Sequence, residues 1–186
     1  MLAYVALCCR VLLAVVFVAA AATKVRGRRD LEEFRAAVRG FGVTARWSSA
    51  VAGVVIALES AAAAAMLVDA VAPAGLGLAA GLLAAFTAAI VSALRKGTPA
   101  NCRCFGASAR PLGTRHVVRN GILLLVAVAG AVTTAGVRVT ADARELAPSV
   151  LAGFVAVVLA LLVIAYDDLA SLAHPRGARA VQNANR

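Results

Sequence analysis

The chain has 186 residues, 62% of them hydrophobic and 15% charged, with a mean hydropathy of +0.89, whereas a soluble domain is nearer half apolar. The excess sits in Ala/Val/Leu blocks of about 20 residues, enough for a helix to span roughly 30 Å of hydrocarbon, which makes this an integral membrane protein. The net charge of +10 comes from arginines placed between apolar blocks, without aromatic interleaving or a nucleic-acid-binding fold; this excludes nucleic acid as a partner and fits basic flanks that meet lipid head groups.

Five apolar segments predict an all-α bundle of about five transmembrane helices, a four-helix core plus a fifth C-terminal span. The first covers about residues 2–23 and ends at Lys24. Ala19 to Ala22 resemble a signal-peptide cleavage region. No charge except the amino terminus precedes the run, however, and Arg10 interrupts it, so it reads as a retained span. Next comes an amphipathic segment opening at Asp30, with Glu33 three residues on as in a capping box. Leu31, Phe34, Val38 and Phe41 recur at helical spacing, which predicts a short helix lying in the interface.

The second span is expected at 47–72, with Pro73 and Gly75 turning it directly into a third at 75–94. Ala61 to Ala65 and the spacing Gly75, Gly77, Gly81 suggest close helix approach. The fourth span covers 117–135 and the fifth 146–166. Residues 1–166 thus form the transmembrane domain, and residues 167–186 a polar tail expected to be mobile.

Between the third and fourth spans lies Asn101-Cys102-Arg103-Cys104-Phe105-Gly106. A thiol attacks as its thiolate, which nearby positive charge favours. Arg103 separates the two cysteines, and Arg110, Arg115 and His116 follow. A disulfide across one residue closes a small ring, and strained disulfides are the oxidising, labile ones. The spacing leaves redox, metal and structural readings open. Metal is the weakest, because Cys102, Cys104 and His116 make three ligands where a closed zinc site needs four.

Cys8 and Cys9 are adjacent on the first span and point about 100° apart. Span parity puts them at the membrane face opposite Cys102, so they read as small packing residues. Glu59, mid-span, marks either a functional position, such as proton transfer to a quinone-like acceptor, or an acid satisfied by neighbouring helices. Arg119 and Asn120, just inside the fourth span, could pair with Glu59 or bind a ligand head group.

Cys-x-Cys-Phe-Gly after a span, followed by Arg119-Asn120 at the opening of the next, resembles the methylamine-utilisation MauE family of redox-associated membrane proteins. The first span ending in Lys24 and the Phe34–Gly42 segment also resemble the wider DoxX-like group. The resemblance implies a helical bundle serving disulfide formation or electron transfer outside the cytoplasm, beside a thioredoxin-like or substrate protein. It makes Cys102 and Cys104 the redox pair, with Phe105 and Gly106 shaping the turn and Arg103, His116, Arg119, Asn120 and Glu59 in support. The layout is also similar to vitamin K epoxide reductases, which admits a quinone as acceptor, although their pair is Cys-x-x-Cys. A non-catalytic scaffold with structural cysteines remains the alternative, and a solute transporter would rest on Glu59 alone.

Orientation is contested. Residues 24–46 and 95–119 hold thirteen of the nineteen basic residues, and the positive-inside rule makes that side cytoplasmic. The resemblance places it outside, and that orientation is preferred because interfacial arginines can hold head groups on either face.

Overall fold

A computed structural model describes residues 1–95, 101–102, 110–111, 114–136 and 146–173, with side chains in 1–95, 114–134 and 146–165. The architecture is all-α. Helices α1 (Leu2–Val25), α3 (Ala45–Leu67), α4 (Ala72–Arg95), α5 (Thr114–Gly136) and α6 (Leu146–Ala173) are each long and apolar enough to cross a membrane. The amphipathic α2 (Arg28–Gly40) connects α1 to α3, and the two-residue strands β1 (Asn101–Cys102) and β2 (Arg110–Pro111) pair antiparallel between α4 and α5. Five spans are thereby placed as the sequence predicts.

The first helix is the axle of the bundle. It packs against α3, α5 and α6, while α4 bridges α3 and α5 on one side. Half of the α1 span is buried but only 11% of the α6 span, so α6 is a peripheral helix seated on α1. Its buried residues Ala156 and Ala160 lie four apart and present a small-residue face that lets two backbones approach. The core itself joins Leu13, Val16 and Phe17 of α1 to Met66 of α3, Leu76 and Leu83 of α4, and Leu123 of α5.

Two boundaries differ from the sequence reading. First, α3 stops at Leu67, five residues early; Val68 is extended, and a 3₁₀ turn over Asp69–Val71 leads into α4 at Ala72. The cause is Arg10. Buried in α1, it donates from Nε to the Met66 carbonyl at 2.9 Å and from a terminal nitrogen to the Asp69 carboxylate. One of the carbonyls left open at the end of α3 is thus satisfied by a side chain instead of a further helical turn. Pro73 then sits in the first turn of α4, where its missing N–H costs nothing. Second, α6 continues beyond Tyr166 to Ala173, so Asp167 and Asp168 belong to a helix.

Gly75 is therefore inside α4, and its role is contact. A Cβ there would come within 2.9 Å of both the Ala65 Cβ and the Met66 nitrogen. The other two glycines of that spacing, Gly77 and Gly81, face nothing within 4 Å, so the close approach rests on Gly75 alone.

The interfacial helix starts two residues earlier than the Asp30 signal suggests. Gly27 is the N-cap, and no side chain caps it. Asp30 instead lies in the first turn, where a carboxylate offsets the positive helix end. Gly42, at φ +93°, supplies the left-handed residue that ends the helix and donates to the Arg39 carbonyl at 2.9 Å. Phe34 and Val38 are buried against Ala52, with Val51 and Val55 around them, so the apolar face of α2 is spent on α3.

Substituting Gly75 with Ala should destabilise the fold by about 1–3 kcal/mol, because the new methyl meets backbone. Gly77→Ala should be neutral or slightly stabilising. Thermal unfolding of both variants in the same detergent tests the contrast, and equal melting temperatures would refute this account of α3–α4 packing.

Candidate functional site

The candidate residues that the structure describes lie toward one end of the bundle. This end holds the close of α1, the whole of α2, the β1–β2 pair and the start of α5. The β1–β2 register sets Asn101 opposite Pro111 and Cys102 opposite Arg110, and β1 runs beside α2. Cys102 is thereby placed at the surface end of the bundle, in an extended segment alongside the interfacial helix. Arg103, Cys104, Phe105 and Gly106 lie outside the described residues.

Beneath the hairpin sits a buried ion pair. Lys24 Nζ lies 2.8 Å and 2.9 Å from the two Glu59 oxygens and donates to the Ala20 carbonyl at 3.1 Å. Lys24 is 2% exposed and Glu59 is 0%. The same ammonium stands 5.1 Å from the Phe34 ring centroid, within cation–π range. One lysine therefore ties α1 to α3 through charge and to α2 through an aromatic face.

Glu59 is thus satisfied by Lys24, and its expected pairing with Arg119 or Asn120 is not what the structure shows. In the sequence, Lys24 marks only the end of a span, because a lysine closing an apolar run reads as a solvated flank. A signal was nevertheless present. Arg10, Leu13, Phe17, Ala20 and Lys24 fall at helical spacing, and all five are buried, so both cations lie on the same inward stripe of α1.

The first turns of α5 bring His116, Arg119 and Asn120 inward, exposed by 7%, 6% and 0%. Cys9 of α1 meets Gly130 of α5, where a Cβ would lie 3.0 Å from the Cys9 Cβ. The two helices run antiparallel, so about ten residues from that contact, or about 15 Å, leads to Ala19 on α1 and Asn120 on α5. Asn120 therefore lies at the depth of the Ala20 carbonyl that receives Lys24. Neither its Oδ1 nor its Nδ2 is hydrogen-bonded within the described residues. A fully buried amide with donor and acceptor both open is uncommon in a folded protein.

The same contact fixes the other cysteines. Cys9 packs against Gly130 near the far end of α5, and Cys8 borders the hydrophobic core. Both are therefore separated from Cys102 by most of the span.

These features define a multi-pass, all-α membrane protein with a cysteine-bearing hairpin at one membrane face and a charged pair buried beneath it. The comparisons are specific. A family model described as "Methylamine utilisation protein MauE" matches residues 2–133, taking in α1 to nearly the end of α5. A protein of Paracoccus denitrificans, "Methylamine utilization protein MauE", is 36% identical over 155 residues, covering 82% of this chain and 81% of that one. The chain belongs to the MauE family. No solved structure gives a significant match.

Removing one partner of the buried pair leaves an uncompensated charge in the membrane interior. Lys24→Met and Glu59→Leu should each cost about 3–5 kcal/mol, whereas the double variant should recover most of the loss. A double-mutant cycle on thermal unfolding in detergent measures the coupling. Strict additivity would show that the two side chains do not act together.

Proposed function

We propose that this protein is a membrane thiol–disulfide redox protein in which Cys102 and Cys104 cycle between disulfide and dithiol. The observation that carries the reading is the position of Cys102. It lies in an extended strand at the membrane-surface end of the bundle, beside α2 and far from Cys8 and Cys9. Membership of a family named for methylamine utilisation supports a role in such a system.

In the oxidising direction, a thiolate of a substrate or thioredoxin-like protein attacks one sulfur of the Cys102–Cys104 disulfide. A mixed disulfide forms and the other cysteine leaves as thiolate. The partner's second thiolate then attacks its own half of the mixed disulfide. The partner ends oxidised, while Cys102 and Cys104 hold the two electrons and two protons. The basic residues Arg103, Arg110 and Arg115 favour the thiolate leaving group.

Renewed turnover needs an electron acceptor. Asn120 fits the carbonyl of a membrane quinone by the chemistry of its open amide, and that group when bound would take the electrons of the dithiol. Phe105 and Gly106 would shape the turn between the cysteines, and His116 and Arg119 would add positive charge beneath it. The hairpin faces the extracytoplasmic side in this reading, where disulfides persist.

The test is trapping. With Cys104→Ser, Cys102 should capture a partner as a mixed disulfide that reducing agent releases, and the double Ser variant should capture none and abolish partner oxidation. Unchanged partner oxidation in cells carrying both Ser substitutions would end the redox reading. If protein level or complex formation fell instead, without any mixed disulfide, the cysteines would be structural in a scaffold. Compartment is tested separately: a membrane-impermeant thiol reagent should label Cys102 and Cys104 in intact cells only after reduction. Labelling that requires permeabilisation would reverse the orientation.

A further inference from the structure

The contacts that fasten the apolar side of α2 leave its polar side open. Phe34 and Val38 are buried against α3. Roughly 100° round the helix from them, Arg28, Arg35 and Arg39 fall on one line. Arg28 and Arg39 are exposed and Arg35 is half-buried. Arg28 and Arg39 stand three turns, or about 16 Å, apart. Arg26, also exposed, stands just ahead of the helix.

These cations are uncommitted. Arg26, Arg28 and Arg39 form no ion pair among the described residues. Arg29, by contrast, is held by Glu33 at 3.0 Å, and Arg46 lies over the Trp47 ring at 5.7 Å. Glu32 is the one acid on the arginine line, so that edge keeps a net positive charge. Work at the lipid head groups falls to a different cation. Trp47 is 59% exposed, as an aromatic anchor of the membrane interface is, and Arg46 accompanies it. The arginine edge belongs instead to the helix beside which β1 and Cys102 run.

Redox encounters bury little surface and must come apart after each exchange. Charge, more than apolar contact, brings such partners together quickly and in the right orientation. We infer that the arginine edge of α2 docks a redox partner protein whose dithiol is ringed by acidic residues, and steers that dithiol to Cys102. The inference rests on the redox reading above and gives its partner a surface chemistry.

Two synthetic peptides test it, each with a Cys-x-x-Cys dithiol, one flanked by Asp and the other by Lys. The full chain in neutral detergent, with Cys102 and Cys104 as disulfide, is mixed with each. The peptide ends as a disulfide and the two cysteines as thiols. At about 0.01 M salt, where charges act over roughly 30 Å, the Asp peptide should be oxidised about tenfold faster, the low end of electrostatic steering. At about 1 M salt the two rates should converge. Arg28→Glu with Arg39→Glu should remove the preference, and Arg28→Lys with Arg39→Lys should keep it. Neither pair should change the rate with uncharged dithiothreitol. Equal rates with the two peptides at low salt would overturn the inference, as would a preference that survives the double Glu variant. So would its loss on adding a few equivalents of phosphatidylglycerol, since the arginines would then belong to lipid head groups. Failure to oxidise dithiothreitol as well would instead end the redox reading, and this inference with it.

Discussion

The Lys24–Glu59 pair is the constraint on which the rest of the arrangement depends. The spans are rich in alanine, and alanine faces slide past one another with little to distinguish one register from the next. A carboxylate and an ammonium inside a membrane have no such latitude, since leaving either unmatched is costly. The pair therefore fixes the depth of α3 against α1. At the other end, Arg10 does the same work by holding the Met66 carbonyl and Asp69. Two cations on one stripe of α1 thus set both the register of α3 and the point where it stops.

The consequences pass outward through contacts already fixed. The Lys24 ammonium also faces the Phe34 ring, so the charge that registers α3 orients α2. Phe34 and Val38 then bury against Ala52 of α3, which fastens α2 across the mouth of the bundle. β1, with Cys102, runs beside α2. A buried pair inside the span and a cysteine at its surface are therefore linked by a single short helix. In the redox reading, that link holds Cys102 in place while a partner docks.

The sequence made the spans legible because hydrocarbon imposes a length and a composition that few other folds share. It made α2 legible because an apolar stripe at helical period stands out against Arg and Glu. It failed where a long-range polar contact decided the outcome. The sequence puts the α3–α4 turn at Pro73 and Gly75, whereas Arg10, some 56 residues away from Met66, ends α3 first. Lys24 looked like a flank because its partner lay 35 residues on, and local pattern carries no information about that distance. The cysteine motif is the reverse case: its chemistry is plain in the sequence, while Arg103 to Gly106 fall outside the described structure.

Span order also decides which thiols can meet. Cys8 and Cys9 lie at the end of α1 that packs near Gly130, and Cys102 at the other, so exchange between the two pairs would have to cross most of a membrane thickness. The chain has four cysteines, and this separation leaves Cys102 with Cys104 or with a thiol from another protein. The same geometry bears on orientation. Lys24 counts toward the basic excess on the hairpin side, yet it is fully buried and neutralised by Glu59. Arg119 is also inside the bundle. A positive-inside argument weighs charges that remain free at the membrane surface, so the excess is smaller than the sequence count suggests. Arg10, at the opposite face, is likewise buried and paired with Asp69, so the balance of surface charge keeps its sign.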